Sequence, residues 1–168
     1  VVVVDDHVLV RQGIRAFLET HADLVIVGEA ADAADATAVC AECKPQVALV
    51  DLVMPGGGVA ATRDIRAASP GTQVVVLTSF DDAQQIVAAI KAGALSCLLK
   101  DVDADSLADA IRQAARGEAV LHPRVAGHLM EELRHGSTPG AHWTTSRSTC
   151  HNWSSTPSAT PTSPVPIT

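Results

Sequence analysis

Short apolar runs rich in β-branched residues recur along this chain, each followed by a segment of helical spacing, and that alternation restricts the fold more than any other feature. The runs are residues 1–4, 24–30, 47–51, 73–77 and 96–99. They carry little polar–apolar alternation, as expected of strands covered on both faces. Strands alternating with helices through short connections imply a parallel sheet with right-handed crossovers and helices on both sides. A chain of 168 residues suffices for one such core but not for two domains of ordinary size. With no Tyr and only 2 Phe, that core must be aliphatic.

The segments between the runs carry their own punctuation. A first helix over residues 7–20 places Val8, Leu9, Ile14, Phe17 and Leu18 on its buried face. Asp32 is the N-cap of an Ala-rich helix reaching about Cys43, which Pro45 stops. Gly56 to Gly58 lead into a helix through Ile65 that Ser69-Pro70-Gly71 closes. Asp81 or Asp82 caps a helix with Ile86, Val87 and Ile90 on one face, terminated by Gly93. Asp103 caps the last, with Leu107, Ile111 and Ala114 or Ala115 inward. The expected architecture is a flavodoxin-like (βα)5 doubly wound sheet in the order 2-1-3-4-5.

Each run ends on polar residues at the same edge. The first ends in Asp5-Asp6-His7, the third in Asp51, the fourth in Thr78 and the fifth in Lys100. Alone, Asp51 reads equally as a cap of the next helix or as a site residue. In the order 2-1-3-4-5, strands one and three are neighbours at the switch point, where such folds bind ligands. The convergence of Asp5, Asp6 and Asp51 there, with Thr78 and Lys100 beside them, favours a site. Crowded carboxylates repel one another unless a cation neutralises them. Oxygen-only ligands with no His or Cys expected nearby favour a hard ion, and Mg²⁺ suits two carboxylates, a backbone carbonyl and waters. A carboxylate beside Mg²⁺ can attack a phosphoryl group while the metal and a Lys ammonium offset its charge.

These residues, in this order, resemble the response-regulator receiver domains of two-component signalling. The matching pieces are Asp5-Asp6, Asp51 in VDLVMPG, Thr78 in VVLTS and Lys100 in LLKD, within residues 1–117. The wording LTSFDD, LLKD and HPRVAGHLMEEL is similar to the NarL/FixJ type, which carries a LuxR-type helix-turn-helix. The resemblance implies that Asp51 is the phosphoacceptor and that Asp5, Asp6, Asp51 and the Val53 carbonyl hold Mg²⁺. It implies further that Thr78 and Lys100 contact the phosphoryl group, that a sensor histidine kinase donates it, and that a homodimer is a candidate outcome of phosphorylation. It describes a switch rather than an enzyme, beyond the domain's own phosphorylation and dephosphorylation. Val53 and Phe80 flank the pocket and are candidates for slowing water attack on the acyl phosphate. The pattern departs from the family twice: the loop after Pro55 is one residue short, and Cys97 stands where Tyr or Phe is usual.

Two rivals share parts of this pattern. A phosphatase or phosphotransferase of the haloacid-dehalogenase type also uses an Asp nucleophile, but resembles D-x-D after strand one, where this chain has Asp5-Asp6-His7. A flavodoxin-like cofactor module would need a glycine-rich phosphate loop after strand one, and none is present.

A net charge of −7 provides no basic stripe for nucleic acid, so DNA is expected to be reached only through a helix-turn-helix domain missing from this sequence. No apolar run approaches a membrane span, and the expected location is cytoplasmic with no membrane partner. Cys40 and Cys43 form a lone C-x-x-C without a second pair, which reads as ordinary helix thiols. The opening Val1 to Val4, without Met, reads as the middle of a strand, with natural residues expected ahead of it. Residues 118–136 are expected to form a linker helix, with Val125, Leu129 and Leu133 on one face. Residues 137–168 are rich in Ser, Thr and Pro and are expected to be disordered, with Trp143 and Trp153 exposed and His142, Cys150 and His151 poorly spaced for a metal. That change in composition fits either an altered reading frame or a receiver with a genuine disordered tail.

Overall fold

The computed structural model describes residues 1–79, 83–121, 126–127, 130–131 and 134. Its elements are β1 (Val2–Val4), α1 (Val8–Leu18), β2 (Gly28–Ala30), α2 (Ala33–Cys43), β3 (Val47–Asp51), α3 (Gly58–Ala68), β4 (Gln73–Thr78), α4 (Ala83–Lys91), β5 (Ser96–Leu99) and α5 (Ala104–Ala115). The strands form one sheet, β2-β1-β3-β4-β5, and every pairing is parallel. This is the flavodoxin-like doubly wound fold.

Alternation along the buried strands divides the core into two layers. Val2 and Val4, Ala48 and Val50, and Val74 and Val76 face α2, α3 and α4, where Ala36, Cys40, Ile65 and Ile86 meet them. Val3, Leu49, Val75 and Leu77 point the other way, toward Leu18 of α1 and Leu107, Ile111 and Ala114 of α5. Burying such side chains on both faces supplies the main favourable term for folding.

The expected caps are in place. The Asp32 carboxylate accepts from the Asp35 N–H, and that of Asp103 from the Ser106 N–H, each at 2.9 Å. Lys44 takes a left-handed φ of 44° to end α2 ahead of Pro45. At the end of α5, Ala114 is buried and Ala115 exposed.

Two expectations need correction. The second strand covers residues 28–30 rather than 24–30. The ladder with β1 runs only from Val2–Gly28 to Val4–Ala30, and ahead of it a single hydrogen bond, from the Val27 N–H to the Val1 carbonyl at 2.9 Å, ties the segment to β1's neighbour. Leu24 turns into the core, while Val25 and Val27 are 63% and 46% exposed. The first helix covers residues 8–18 rather than 7–20, and Val8 and Leu9 do not join its buried face, being 53% and 81% exposed. At about 100° per residue, Leu9 lies half a turn from Leu18, the fully buried residue of α1.

After α5 the chain returns along the sheet's edge. The Cys97 N–H donates to the Val120 carbonyl at 3.2 Å, the Val120 N–H donates to Ser96 Oγ at 2.9 Å, and Cys97 forms a parallel bridge with Leu121. This return covers part of the β5 edge. Residues 126, 127, 130, 131 and 134 are helical. Phe80, the caps at Asp81 and Asp82, the face of Val125, Leu129 and Leu133, and the whole 137–168 tail with Trp143, Trp153, His142, Cys150 and His151 lie outside the described residues. Among those described, no helix is long and apolar enough to cross a membrane.

Candidate functional site

Strand register brings the predicted residues together. Val4 pairs with Val50, so Asp5 and Asp51 lie one step further along adjacent strands. Asp51 pairs with Leu77, which precedes Thr78. Thr78 pairs with Leu99, and the Lys100 N–H donates to the Thr78 carbonyl at 2.8 Å. Asp5, Asp51, Thr78 and Lys100 therefore share the carboxyl edge.

Asp5 and Asp51 are each only 1% exposed. The Asp5 carboxylate accepts from the His7 N–H at 2.8 Å, and its backbone carbonyl accepts from the Arg11 guanidinium. Asp51 Oδ1 accepts from the Val53 N–H at 3.2 Å. Lys100 Nζ lies 2.9 Å from Asp5 Oδ2 and 2.8 Å from Asp51 Oδ2, bridging the two acids. Burial works to lower the Lys100 pKa, but the adjacent carboxylates of Asp51 and Asp5 outweigh it, and the net direction is upward.

The bridge is close without being complete. Asp51 Oδ2 sits at ion-pair distance from Lys100, yet it is shut off from solvent with no hydrogen bond of acceptable angle. Asp6 Oδ1 is in the same condition despite a His7 Nδ1 2.8 Å away. Ligand atoms of Asp5, Asp6, His7 and Asp51 all lie within 4.8 Å of one another. Buried oxygens with acceptor capacity to spare, converging on one point, suit a divalent cation. The three carboxylates among these donors fit a divalent metal ion.

The glycine-rich loop holds Asp51 in place. A Cβ on Gly58 would fall 2.2 Å from the Asp51 carbonyl oxygen and 2.6 Å from Leu52 Cα, so only glycine lets α3 begin so near the strand end. The Gly58 N–H donates to the Leu52 carbonyl, closing the turn at 3.0 Å. Val53 is 62% exposed at the rim of this loop.

Thr78 is buried, and its hydroxyl donates to the Ser79 carbonyl at 2.9 Å. Cys97 is fully buried against the α2–α4 layer, and burial pushes its thiol up to about 12. Cys40 is likewise buried and raised to about 11. Such thiols are protonated and inert at neutral pH. His7 was not expected at the site. Its signal was the run Asp5-Asp6-His7, which places an imidazole directly after two acids.

The sequence profile of the response regulator receiver domain matches residues 1–112. The transcriptional regulatory protein LiaR of Bacillus subtilis is 44% identical over 136 residues, which is 80% of this chain and 64% of LiaR. A two-component response regulator of the LuxR family from Aurantimonas superposes with a TM-score of 0.71 at 33% identity, covering 79% of this chain and 96% of that one. The receiver domain of the NarL regulator from Mycobacterium tuberculosis gives 0.66 at 33% identity, covering 70% and 95%. The chain thus spans less than two thirds of LiaR's length, with the match centred on the receiver.

Proposed function

This chain belongs to the response-regulator receiver family, and from that premise we propose that it is a phosphorylation switch whose acceptor is Asp51. The observation that carries the proposal is the buried Asp51 carboxylate, held by the Val53 N–H and Lys100 with one oxygen left without an aligned donor. A sensor histidine kinase presents a phosphohistidine. An Asp51 oxygen attacks phosphorus, the P–N bond breaks, and an aspartyl phosphate forms. Lys100, already within 2.8 Å of the acceptor, offsets the added negative charge. Asp5, Asp6, Asp51 and the Val53 carbonyl would hold Mg²⁺, which supplies charge neutralisation at the phosphoryl oxygens.

Thr78 turns its hydroxyl from the Ser79 carbonyl to the phosphoryl group and reports its arrival. Val53, exposed at the rim, and Phe80 limit the approach of water to the acyl phosphate. With Cys97 in the position usually aromatic, the change spreads without a Tyr or Phe rotamer switch, and phosphorylation promotes homodimerisation. The receiver occupies residues 1–117, and residues 118–136 are its linker, which opens with the non-helical return of residues 118–121 along β5 rather than with helix. In the whole protein the output is transcription regulation through a DNA-binding domain, in the cytoplasm. The curated relative LiaR, a transcriptional regulatory protein, supports that output. The domain is no enzyme in the ordinary sense, since its chemistry ends on its own side chain.

Incubation with acetyl phosphate and Mg²⁺, read by intact mass, tests the proposal. Gain of one phosphoryl group by the parent and none by Asp51→Asn is expected. Equal gain by both would assign the chemistry elsewhere.

A further inference from the structure

The metal site has a donor that the three acids do not account for. His7 follows the acidic pair at the N-cap of α1, where its backbone is extended with φ −85° and ψ 109°. The ring is two-thirds exposed, yet its Nδ1 edge turns toward the acids, 2.8 Å from Asp6 Oδ1 and 3.3 Å from Asp5 Oδ1. The His7 N–H donates to the same Asp5 Oδ1 at 2.8 Å, which holds the residue's backbone against the Asp5 carboxylate.

The spacing matches ligands around one ion. Two neighbouring ligands at right angles, each about 2.1 Å from a metal, are about 3.0 Å apart. The two distances from Nδ1 straddle that value. Asp6 Oδ1 and the nine-tenths-buried Asp51 Oδ2 lack a hydrogen-bond partner, and one ligand atom from each of Asp5, Asp6, His7 and Asp51 lies within 4.8 Å of the others. Asp6 Oδ1 has Nδ1 within reach but receives no aligned hydrogen bond from it, which two ligands of a shared ion would show and a settled His–Asp hydrogen bond would not.

We propose that His7 is a nitrogen ligand of the receiver's metal site, so that this chain prefers a first-row transition ion such as Mn²⁺ over Mg²⁺. Imidazole is a softer donor than carboxylate, and Mg²⁺ gains little from it, whereas Mn²⁺ and the ions after it gain progressively more. The inference rests on the reading of Asp5, Asp6 and Asp51 as metal ligands and adds one ligand to them. It concerns which ion the site selects, and leaves Asp51 as acceptor.

The test uses the full chain, titrated calorimetrically with MnCl2 and MgCl2, and the electron spin echo of bound Mn²⁺ to detect a directly bonded imidazole nitrogen. His7→Ala changes an exposed side chain, and far-UV circular dichroism checks its fold. The parent is expected to show the nitrogen coupling and His7→Ala to lose it. The ratio of Mn²⁺ to Mg²⁺ affinity falls on the order of tenfold in the variant, with Mg²⁺ affinity little changed. Asp51→Asn serves as the control for the site itself. Mn²⁺ binding that Asp51→Asn abolishes, without nitrogen coupling and with the same ratio in His7→Ala, would overturn the role of His7 and leave the acidic site standing. No binding of either ion at Asp51 in the parent would overturn both.

Discussion

At both ends of the sheet a single cation sits between two carboxylates, and the two triplets behave differently. At the carboxyl edge Lys100 bridges Asp5 and Asp51, whose side chains are 1% and 2% exposed. At the amino end Arg112 of α5 takes Asp23 through two guanidinium hydrogen bonds of 2.7 and 3.1 Å and Asp109 through another of 2.9 Å. There the carboxylates are 56% and 67% exposed. A cleft also lies at that end, lined by Leu24, Val47, Ile111 and Arg112 among others, but its charges are already matched by a forked donor. Water screens the exposed triplet, and its pairs are structural ties of small effect. In the buried triplet Lys100 neutralises charge without satisfying every oxygen, which leaves a site with capacity for a further cation. Burial, rather than the mere presence of paired charges, separates the end with an unsatisfied carboxylate oxygen from the end whose charges are matched.

The largest effect is expected from the loop that sets the buried acids in place. Gly58→Ala drives a methyl group into the Asp51 carbonyl and the Leu52 backbone, neither of which can swing aside. A loss of about 3 kcal/mol in urea unfolding is expected, together with loss of phosphoryl acceptance. Lys100→Met, which keeps the aliphatic stem, leaves Asp5 and Asp51 facing each other without their cation. The expected loss is about 2 kcal/mol after allowing for the ammonium's partial exposure, and addition of Mg²⁺ should recover part of it.

Arg112→Ala at the other end should produce the smallest change. Arg112 holds the Asp23 carboxyl down to about 2 from an ordinary 3.8, chiefly through their hydrogen bond. A depressed folded-state pKa gives stability that is present above pH 3.8 and is lost as pH falls through about 2. Thermal melting of the variant should therefore approach that of the parent as the medium is acidified across this range. High salt at neutral pH should narrow the gap as well. A salt-resistant loss as large as that of Lys100→Met would erase the distinction between the two ends.

Much of this was legible in the sequence, for reasons that differ by residue. Asp51 and Lys100 could be placed because strand ends in a parallel sheet share one edge, so strand order alone brings them together. The Asp32 and Asp103 caps follow from local chemistry and needed no tertiary information. Val8 and Leu9 misled because apolar character marks a candidate for burial, whereas helical phase relative to Leu18 decides it. Residues 24–27 misled because β-branched composition marks a strand candidate, whereas here Val25 and Val27 lie on the exposed approach to the strand. Gly58 was visible as part of a turn, but its contact with the Asp51 carbonyl depends on where α3 starts. His7 escaped notice because direction, rather than residue type, brings its Nδ1 toward the acids.

The most direct measurement is chemical mapping of the acceptor. After treatment with acetyl phosphate and Mg²⁺, borohydride reduces an aspartyl phosphate to homoserine, which tandem mass spectrometry locates in the digested chain. Homoserine at position 51, dependent on the phosphoryl donor, is the predicted result. Homoserine at position 5 or 6 with Asp51 unchanged, or no conversion in a sample shown to be folded, would contradict the assignment of Asp51 as the residue that accepts the signal.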